Sequence, residues 1–373
     1  MPVTGAWRPG DPVGRRQFLH VYGDRPLCLR AGAELRDITV AYETWGALNA
    51  ARDNAVLVCH ALTGDSHATG PVESGHDQLG WWNPLIGPGR AIDTDRFFVV
   101  CPNVLGGCQG TTGPSSIDPE TGRPFGSRFP VTTIRDQVDV EAALSDALGI
   151  ERWFAVIGGS MGGQRVLEWS VKYAPRVERA VIIACGAAAT AEEIALCSLQ
   201  IRAIEADPHF HGGDYYDETE GPWRGMSLAR GIGQVSYRSE LELQQRFERG
   251  HQNDEHPFVG GLYTVESYLE YHGEKLAHRF DANTYISLSR AMNHHDVGRG
   301  RGGVAVALAR VEAAATIAGI SSDRLYPLRL QHELADLLPR NKGVEVVRSM
   351  AGHDGFLTEH EQIGDIIAGA LAS

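Results

Sequence analysis

The chain lacks any run approaching the ~20 apolar residues of a membrane-spanning helix. Its start, Met1-Pro2-Val3-Thr4-Gly5-Ala6-Trp7-Arg8, has no charged segment leading into an apolar stretch, so no secretory signal is expected. Cysteine is sparse and unpatterned. Cys28, Cys59, Cys101, Cys108, Cys185 and Cys197 contain no Cys-x-x-Cys, and Cys59, Cys101 and Cys185 lie in or beside apolar runs where a buried thiol packs as a small apolar group. Reduced thiols in a cytoplasm are therefore expected, not disulfides. The 15 histidines form no His-Glu-x-x-His and no Cys/His cluster in sequence, so no metal site is expected. Positive charge is in deficit, with 34 Lys and Arg against 47 Asp and Glu and a formal net charge of -13. That argues against nucleic acid or an anionic membrane as partner and leaves small molecules. An anionic substrate still fits, because local arginines can override the global sign. No internal repeat or low-complexity segment is visible.

What is present describes an ordinary globular enzyme-sized chain. Its 373 residues are 43% hydrophobic and 22% charged, enough for one large domain with an insertion or for two domains. The first ~35 residues read as irregular, with one strand near Leu27 to Leu29. Ile38 to Trp45 alternates as a strand does, whereas Ala55 to His60, Phe97 to Cys101, Phe154 to Gly159 and Ala180 to Cys185 are continuous apolar runs, as in parallel strands buried on both faces. Helices are expected from Thr133 to Leu148 and from Met161 to about Tyr173. Residues 189 to about 310 show mostly helical periodicity. Strands return at Ala314–Ile320, where position outweighs the helical propensity of Val311 to Ala315, and at Val344–Val347. A helix is expected from Tyr326 to Leu338 with Pro327 in its first turn, and another from about Glu359 to Leu371. The pattern is α/β, a doubly wound, mostly parallel sheet formed by residues 1–186 and 303–373, with a helical lid inserted at 187–302.

Within it, Phe154-Ala155-Val156-Ile157-Gly158-Gly159-Ser160-Met161-Gly162-Gly163 ends a buried strand in Gly-x-Ser-x-Gly and opens a helix. That is the context of a nucleophile elbow, in which a serine sits on a strained turn and glycines let strand and helix approach. A glycine turn binding phosphate at a helix N-terminus is the bland alternative. A serine hydroxyl needs a base, and the base needs an orienting group. In this architecture they follow in the order acid, then histidine, in loops after late strands. Asp323 and His353 occupy those places. Asp207, Asp214, Asp217, Asp254, Asp281 and Asp296, and histidines such as His256, fall in the insertion and read as caps, surface charges or lid groups. An oxyanion hole would use the backbone N–H of Met161 and a second amide from the loop His60-Ala61-Leu62-Thr63-Gly64.

These segments resemble the homoserine O-acetyltransferases. The resemblance runs through His60-Ala61-Leu62-Thr63-Gly64-Asp65-Ser66-His67, the glycine-rich stretch from Asn103 to Ser116, Gly158 to Gly163, Asp296 to Gly303, Ser322-Asp323-Arg324-Leu325-Tyr326-Pro327 and Gly352-His353-Asp354-Gly355-Phe356, and covers about Val40 to Leu371. It implies the α/β-hydrolase fold and acetyl transfer from acetyl-CoA, a co-substrate and not a bound cofactor, to the side-chain hydroxyl of L-homoserine in methionine biosynthesis. It implies a Ser160 acyl-enzyme, with Leu62 and Met161 amides as the oxyanion hole. Arg230 would meet the homoserine carboxylate, Asp354 its ammonium, and Tyr237 would add a hydrogen bond. A homodimer built through the helical insertion is also implied. Succinyl transfer, serine as acceptor, plain esterase chemistry and a non-enzymatic receptor are the competing readings. Arg299 and Arg301 read equally as a phosphate site or a basic return loop. Trp81 and Trp82 read as core or lid anchors before tunnel walls.

Overall fold

The structure, a computed structural model, describes residues 2–253 and 257–372; Asp254 and His256 lie outside the described residues. Eight strands build the central sheet: β1 Gln17–Val21, β2 Ile38–Trp45, β3 Ala55–Cys59, β4 Phe98–Pro102, β5 Trp153–Gly159, β6 Val177–Ile183, β7 Ala314–Ile320 and β8 Asn341–Val347. Their order is β1-β2-β4-β3-β5-β6-β7-β8. β1 and β2 pair antiparallel, β2 runs antiparallel to β4, and the pairs from β4 through β8 are parallel. All five residues of β3 are buried, as continuous apolar runs in a covered parallel sheet require. The helices are α1 Ile134–Ala147, α2 Met161–Lys172, α3 Ala191–Glu205, α4 Trp223–Tyr237, α5 Glu240–Phe247, α6 Thr264–Arg279, α7 Ala282–Asn293, α8 Leu328–Leu337 and α9 His360–Ala372, with shorter helical turns between them.

Local rules account for most boundaries. Thr133 caps α1 through a reciprocal box with Asp136, and Gly149 ends the turn after α1 at φ +69°. β7 does begin at Ala314 in spite of its alanines, because both its neighbours, β6 and β8, offer parallel ladders. Three expectations shift. Gln17–Val21, read as irregular, is a strand at the sheet edge; its mostly half-exposed or exposed residues give no clean alternation. Leu27–Cys28 pairs instead with Glu34–Leu35 in a separate two-stranded ladder. Pro327 is the N-cap of α8 and lies outside its first turn.

One face of the sheet is packed by α1, α2 and α8, the other by α9 and the loop carrying Trp82 and Leu85. Between β6 and β7 the chain leaves the sheet for α3 to α7. Its two arms are stitched at the base, where the Ala189 amide donates to the His295 carbonyl at 2.9 Å and the Val297 amide to the Ala187 carbonyl at 3.0 Å. A third apolar cluster joins these helices to Leu62 and Met161 at the sheet's edge. Among the described residues no helix is long and apolar enough to cross a membrane.

Candidate active site

Ser160 stands between β5 and α2 at φ +58°, ψ -126°, a backbone region that side chains other than glycine's rarely occupy. The surroundings hold it there. Its amide donates to the Ile183 carbonyl at 3.0 Å and its carbonyl accepts from the Gln164 amide at 3.1 Å. Strand and helix meet so closely that a Cβ on Gly162 would lie 2.1 Å from the Cys59 carbonyl oxygen, and one on Gly158 would lie 2.6 Å from the Gly162 carbonyl. These are the two glycines that the elbow's shape requires.

His353 and Asp323 arrive from the loops after β8 and β7. His353 Nε2 lies 2.9 Å from Ser160 Oγ, and Nδ1 lies 2.7 Å from Asp323 Oδ2. The other Asp323 oxygen accepts from the amides of Leu325 and Tyr326, both at 2.9 Å, so the carboxylate cannot turn away. The Tyr326 ring stacks on the imidazole with centroids 5.2 Å apart, and Phe356 lies 5.3 Å away. All three polar residues are buried, at 4–6% exposure, which strengthens every charge interaction among them. Burial alone would pull the His353 pKa down. The charge and hydrogen bond of Asp323 outweigh it, with Asp354 and Glu193 adding, and the net shift is upward. Asp323 accepts at Nδ1, which leaves Nε2 of the neutral ring to accept the serine proton.

The amide of Met161 is the first in α2, and the first amides of a helix have no partner within it. Leu62 lines the same chamber as Ser160, in a loop pinned at both ends: Arg165 Nη2 donates to the His60 carbonyl at 2.6 Å and Arg279 Nη2 to the Thr63 carbonyl at 2.6 Å. Arg165 is itself fully buried and held by Glu141 at 2.6 Å. Burial and the Arg165 charge depress His60 to about 3, and its Nε2 accepts from the Val104 amide at 3.1 Å. It is a neutral strut and not a second base.

A mostly apolar chamber of about 70 Å³ adjoins the serine, lined by Leu62, Ser160, Tyr237, His353 and Asp354 and by Arg230 from α4. Of the residues singled out for the site, Leu62, Ser160, Arg230, Tyr237, His353 and Asp354 line this chamber, while Asp323 stands behind His353 and Met161 follows Ser160 at the start of α2. A second, larger cavity of about 390 Å³ shares Ala61, Thr63, Arg230 and Leu357 with it, so Arg230 stands at the junction of the two. Asp354 is already paired: its Oδ2 lies 3.1 Å from Arg238 Nη2. Sequence reasoning missed Arg238, and it missed Glu193, a buried chamber carboxylate whose pKa burial raises. Arg238 belongs to no motif, and Glu193 carries only the signal of a helix start, as the acid of a capping box with Thr190. Their place at the site comes only from what the fold sets beside them.

The remaining candidates resolve into structure. Arg301 forms a two-pronged pair with Glu168, at 2.8 Å through Nη1, which ties the return loop to α2. Trp82 is fully buried and donates to the Phe356 carbonyl at 3.1 Å. Asp207 and Asp281 cap helical turns. Glu43, His67 and His76 bring metal-type ligand atoms within 4.8 Å of one another, a cluster invisible in sequence because its members are distant. Those atoms already serve each other: His67 faces the Glu43 carboxylate at 3.0 Å and the Pro71 carbonyl at 3.3 Å, and His76 Nε2 accepts from the Arg15 amide at 3.2 Å. The grouping is a buried ion pair that fastens the N-terminal segment to β2.

A family model described as alpha/beta hydrolase fold matches residues 54–360. A homoserine O-acetyltransferase of Thermobifida fusca (strain YX) is 56% identical over 373 residues, covering 100% of this chain and 98% of the relative. The crystal structure of a homoserine O-acetyltransferase from Bacillus anthracis superposes with a TM-score of 0.88 at 28% identity, covering 96% of this chain and 97% of that one. Esterase E22 is also similar, with a TM-score of 0.86 at 27% identity over 95% of this chain and 99% of that one.

Proposed function

Because the chain belongs to the homoserine O-acetyltransferase family of the α/β-hydrolase fold, we propose that Ser160, His353 and Asp323 carry its acetyl transfer from acetyl-CoA to the side-chain hydroxyl of L-homoserine, the family's step in methionine biosynthesis. The observation that carries the role assignment is the hydrogen-bonded line from Ser160 Oγ through the His353 ring to Asp323, at 2.9 and 2.7 Å.

In the first half-reaction His353 Nε2 takes the Ser160 proton while Oγ attacks the thioester carbonyl. The oxyanion forms against the amides of Leu62 and Met161. Collapse breaks the C–S bond, and the departing CoA thiolate takes the proton from His353. In the second half the homoserine hydroxyl gives its proton to His353 and attacks the acetyl-serine carbonyl. Collapse then frees O-acetyl-L-homoserine and returns the proton to Ser160. Asp323 holds the ring tautomer and stabilises the imidazolium at both stages. Arg230 meets the acceptor's carboxylate as a fork of donors, Asp354 meets its ammonium, and Tyr237 adds a hydrogen bond.

Three wider assignments belong to the same reading. The helices at residues 187–302 act as a lid unit over a core formed by 1–186 and 303–373. The exposed apolar side chains Ile194, Leu199, Leu228 and Val235 on α3 and α4 form part of a homodimer contact. The reaction is cytoplasmic, in keeping with six free cysteines, and needs no cofactor beyond acetyl-CoA as co-substrate.

Thiol release from acetyl-CoA with and without homoserine tests the reaction. A single turnover without acceptor and sustained release with homoserine is the expected pattern. Sustained release without any acceptor would instead make the chain a thioesterase, the reading favoured by its likeness to an esterase.

A further inference from the structure

Arg230 and Asp354, which line the chamber, are not free side chains. Arg230, Gln234, Tyr237 and Arg238 succeed one another along one stretch of α4 and its C-cap, at the three- and four-residue spacings that share a helix face. Gln234 is only 1% exposed. With its amide turned to satisfy both neighbours, its Oε1 accepts from Arg230 Nε at 3.2 Å and Nη2 at 2.9 Å, while its Nε2 donates to the Tyr268 hydroxyl at 2.9 Å. The guanidinium also lies over the Tyr237 ring, 5.4 Å from its centroid. Two N–H groups and one face of Arg230 are thus committed to the protein, and the fork's remaining edge is turned away from Gln234.

The acid is held in the same manner. Arg238 reaches Asp354 Oδ2 at 3.1 Å with one nitrogen and the Glu242 carboxylate at 3.0 and 3.3 Å with the other. The end of α4 is also fastened to the loop that carries Asp354: Ser239 Oγ donates to the Met350 carbonyl, and Gly352, at φ +68°, packs so tightly that a Cβ there would lie 2.4 Å from the Tyr237 carbonyl oxygen. A cation and an anion are therefore set at a fixed separation by two residues one helical turn apart. A long side chain left unheld would sample many rotamers and lose that spacing on each encounter.

We propose that Gln234 and Arg238 are positioning residues that make the acceptor chamber selective for a zwitterion, so that an α-amino acid bearing a side-chain hydroxyl is taken while an amino alcohol or a hydroxy acid of the same length is refused. The proposal rests on Arg230 and Asp354 as the acceptor clamp. Gln234 governs the carboxylate through Arg230, and Arg238 governs the ammonium through Asp354.

The test separates the two half-reactions. CoA released in the first turnover without acceptor reports acylation, and steady-state turnover reports the acceptor. Gln234→Leu is expected to raise KM for homoserine about 10-fold or more, as loss of a charge-assisted bond does, with the acylation burst unchanged. It should also narrow the preference for homoserine over 3-amino-1-propanol, which lacks the carboxylate. Gln234→Glu should return KM to within about 3-fold of the parent, because a carboxylate still accepts from Arg230 and the Tyr268 hydroxyl can donate to it. Arg238→Met should instead narrow the preference over 4-hydroxybutyrate, which lacks the ammonium. Should Gln234→Leu fail to fold, Gln234→Asn, one methylene too short to reach Arg230, carries the same expectation. An unchanged KM in the Gln234 variants, with Arg230→Met raising it, would overturn the positioning role and leave the clamp standing. An unchanged KM in Arg230→Met would remove the clamp beneath both. An acylation burst that falls in step with acceptor turnover would mean that Gln234 serves the fold and not the acceptor.

Discussion

The sheet edge and the inserted helices hold their functional groups by different means. At the edge, position comes from backbone packed on backbone. Gly162 faces the Cys59 carbonyl, the Ser160 amide is bonded to Ile183, and the Asp323 carboxylate is bound by two amides of its own loop. From the insertion, the charged groups are held by side chains gripping side chains, Gln234 on Arg230 and Arg238 on Asp354 of the neighbouring loop. The first kind of support tolerates almost no substitution and serves chemistry common to any serine acyl transfer. The second changes with one residue and, on the proposed reading, serves the choice of acceptor. That reading makes catalysis and selection separable within one site.

The largest effect expected from that separation is chemical and local. Ser160→Ala should lower turnover by roughly 10⁴- to 10⁶-fold, the range seen when a triad member is removed, and should abolish the acylation burst. Its thermal unfolding should stay close to the parent's, because the bonds that set the turn are made by the Ser160 backbone and not its hydroxyl. A variant that still releases CoA at the parent rate would dissociate the elbow from the reaction.

Asp323→Asn should follow, with a loss on the order of 10³- to 10⁴-fold, and its pH profile is the sharper reading. His353 acts as a base only when neutral, so kcat/KM falls as pH drops through its pKa. That pKa lies above the ordinary 6.5 because Asp323 outweighs burial. The acid limb in the parent should accordingly lie above 6.5. In Asp323→Asn the largest opposing charge is gone and only Asp354 and Glu193 still act against burial, so the limb should move to lower pH. The linkage to stability has the matching sign: a raised folded-state pKa favours the fold fully below 6.5, and that contribution is lost as pH rises through the folded value. An acid limb that stays in place on substitution would sever the electrostatic tie between the two residues.

The same division explains what could be read from sequence. Buried strands betray themselves as apolar runs, and an elbow by glycines flanking a serine, because backbone-on-backbone contact admits few residue types. Asp323 and His353 followed from chain order once the sheet was recognised. The edge strand Gln17–Val21 did not, since a strand open to solvent needs no apolar face. Gln234 and Arg238 carry no signal at all. A glutamine on a helix is ordinary until the fold sets a guanidinium on one side of its amide and a phenol on the other. Glu43, His67 and His76 likewise come together from separated stretches of chain. Asp354 was named only through the family resemblance, as the ammonium contact, and its bond to Arg238 depends on how the insertion folds back.

Two glycine substitutions bring the comparison down to its smallest terms. Gly162→Ala at the elbow would set a Cβ 2.1 Å from the Cys59 carbonyl oxygen and 2.9 Å from its carbon. These are backbone atoms of a central strand and cannot swing aside, so a loss of about 3 kcal/mol is expected, at the upper end for overpacking. Gly231 lies within α4, next to Arg230, and a Cβ there would meet nothing within 4 Å. In a helix interior the alanine form removes chain freedom from the unfolded state at no steric cost. Gly231→Ala should therefore stabilise the protein by roughly 0.5–1 kcal/mol, a rise in Tm of about 1–2 °C for a chain of this size. Denaturant unfolding measures both. Elsewhere α4 is closely packed, a Cβ on Gly225 lying 2.6 Å from the Ala203 carbonyl oxygen; if the face at Gly231 were packed in that way too, Gly231→Ala would lower the unfolding midpoint. A rise at Gly231 beside a collapse at Gly162 would place the tolerance for change on the open face of α4 beside Arg230, where a different acceptor could be accommodated without disturbing the serine.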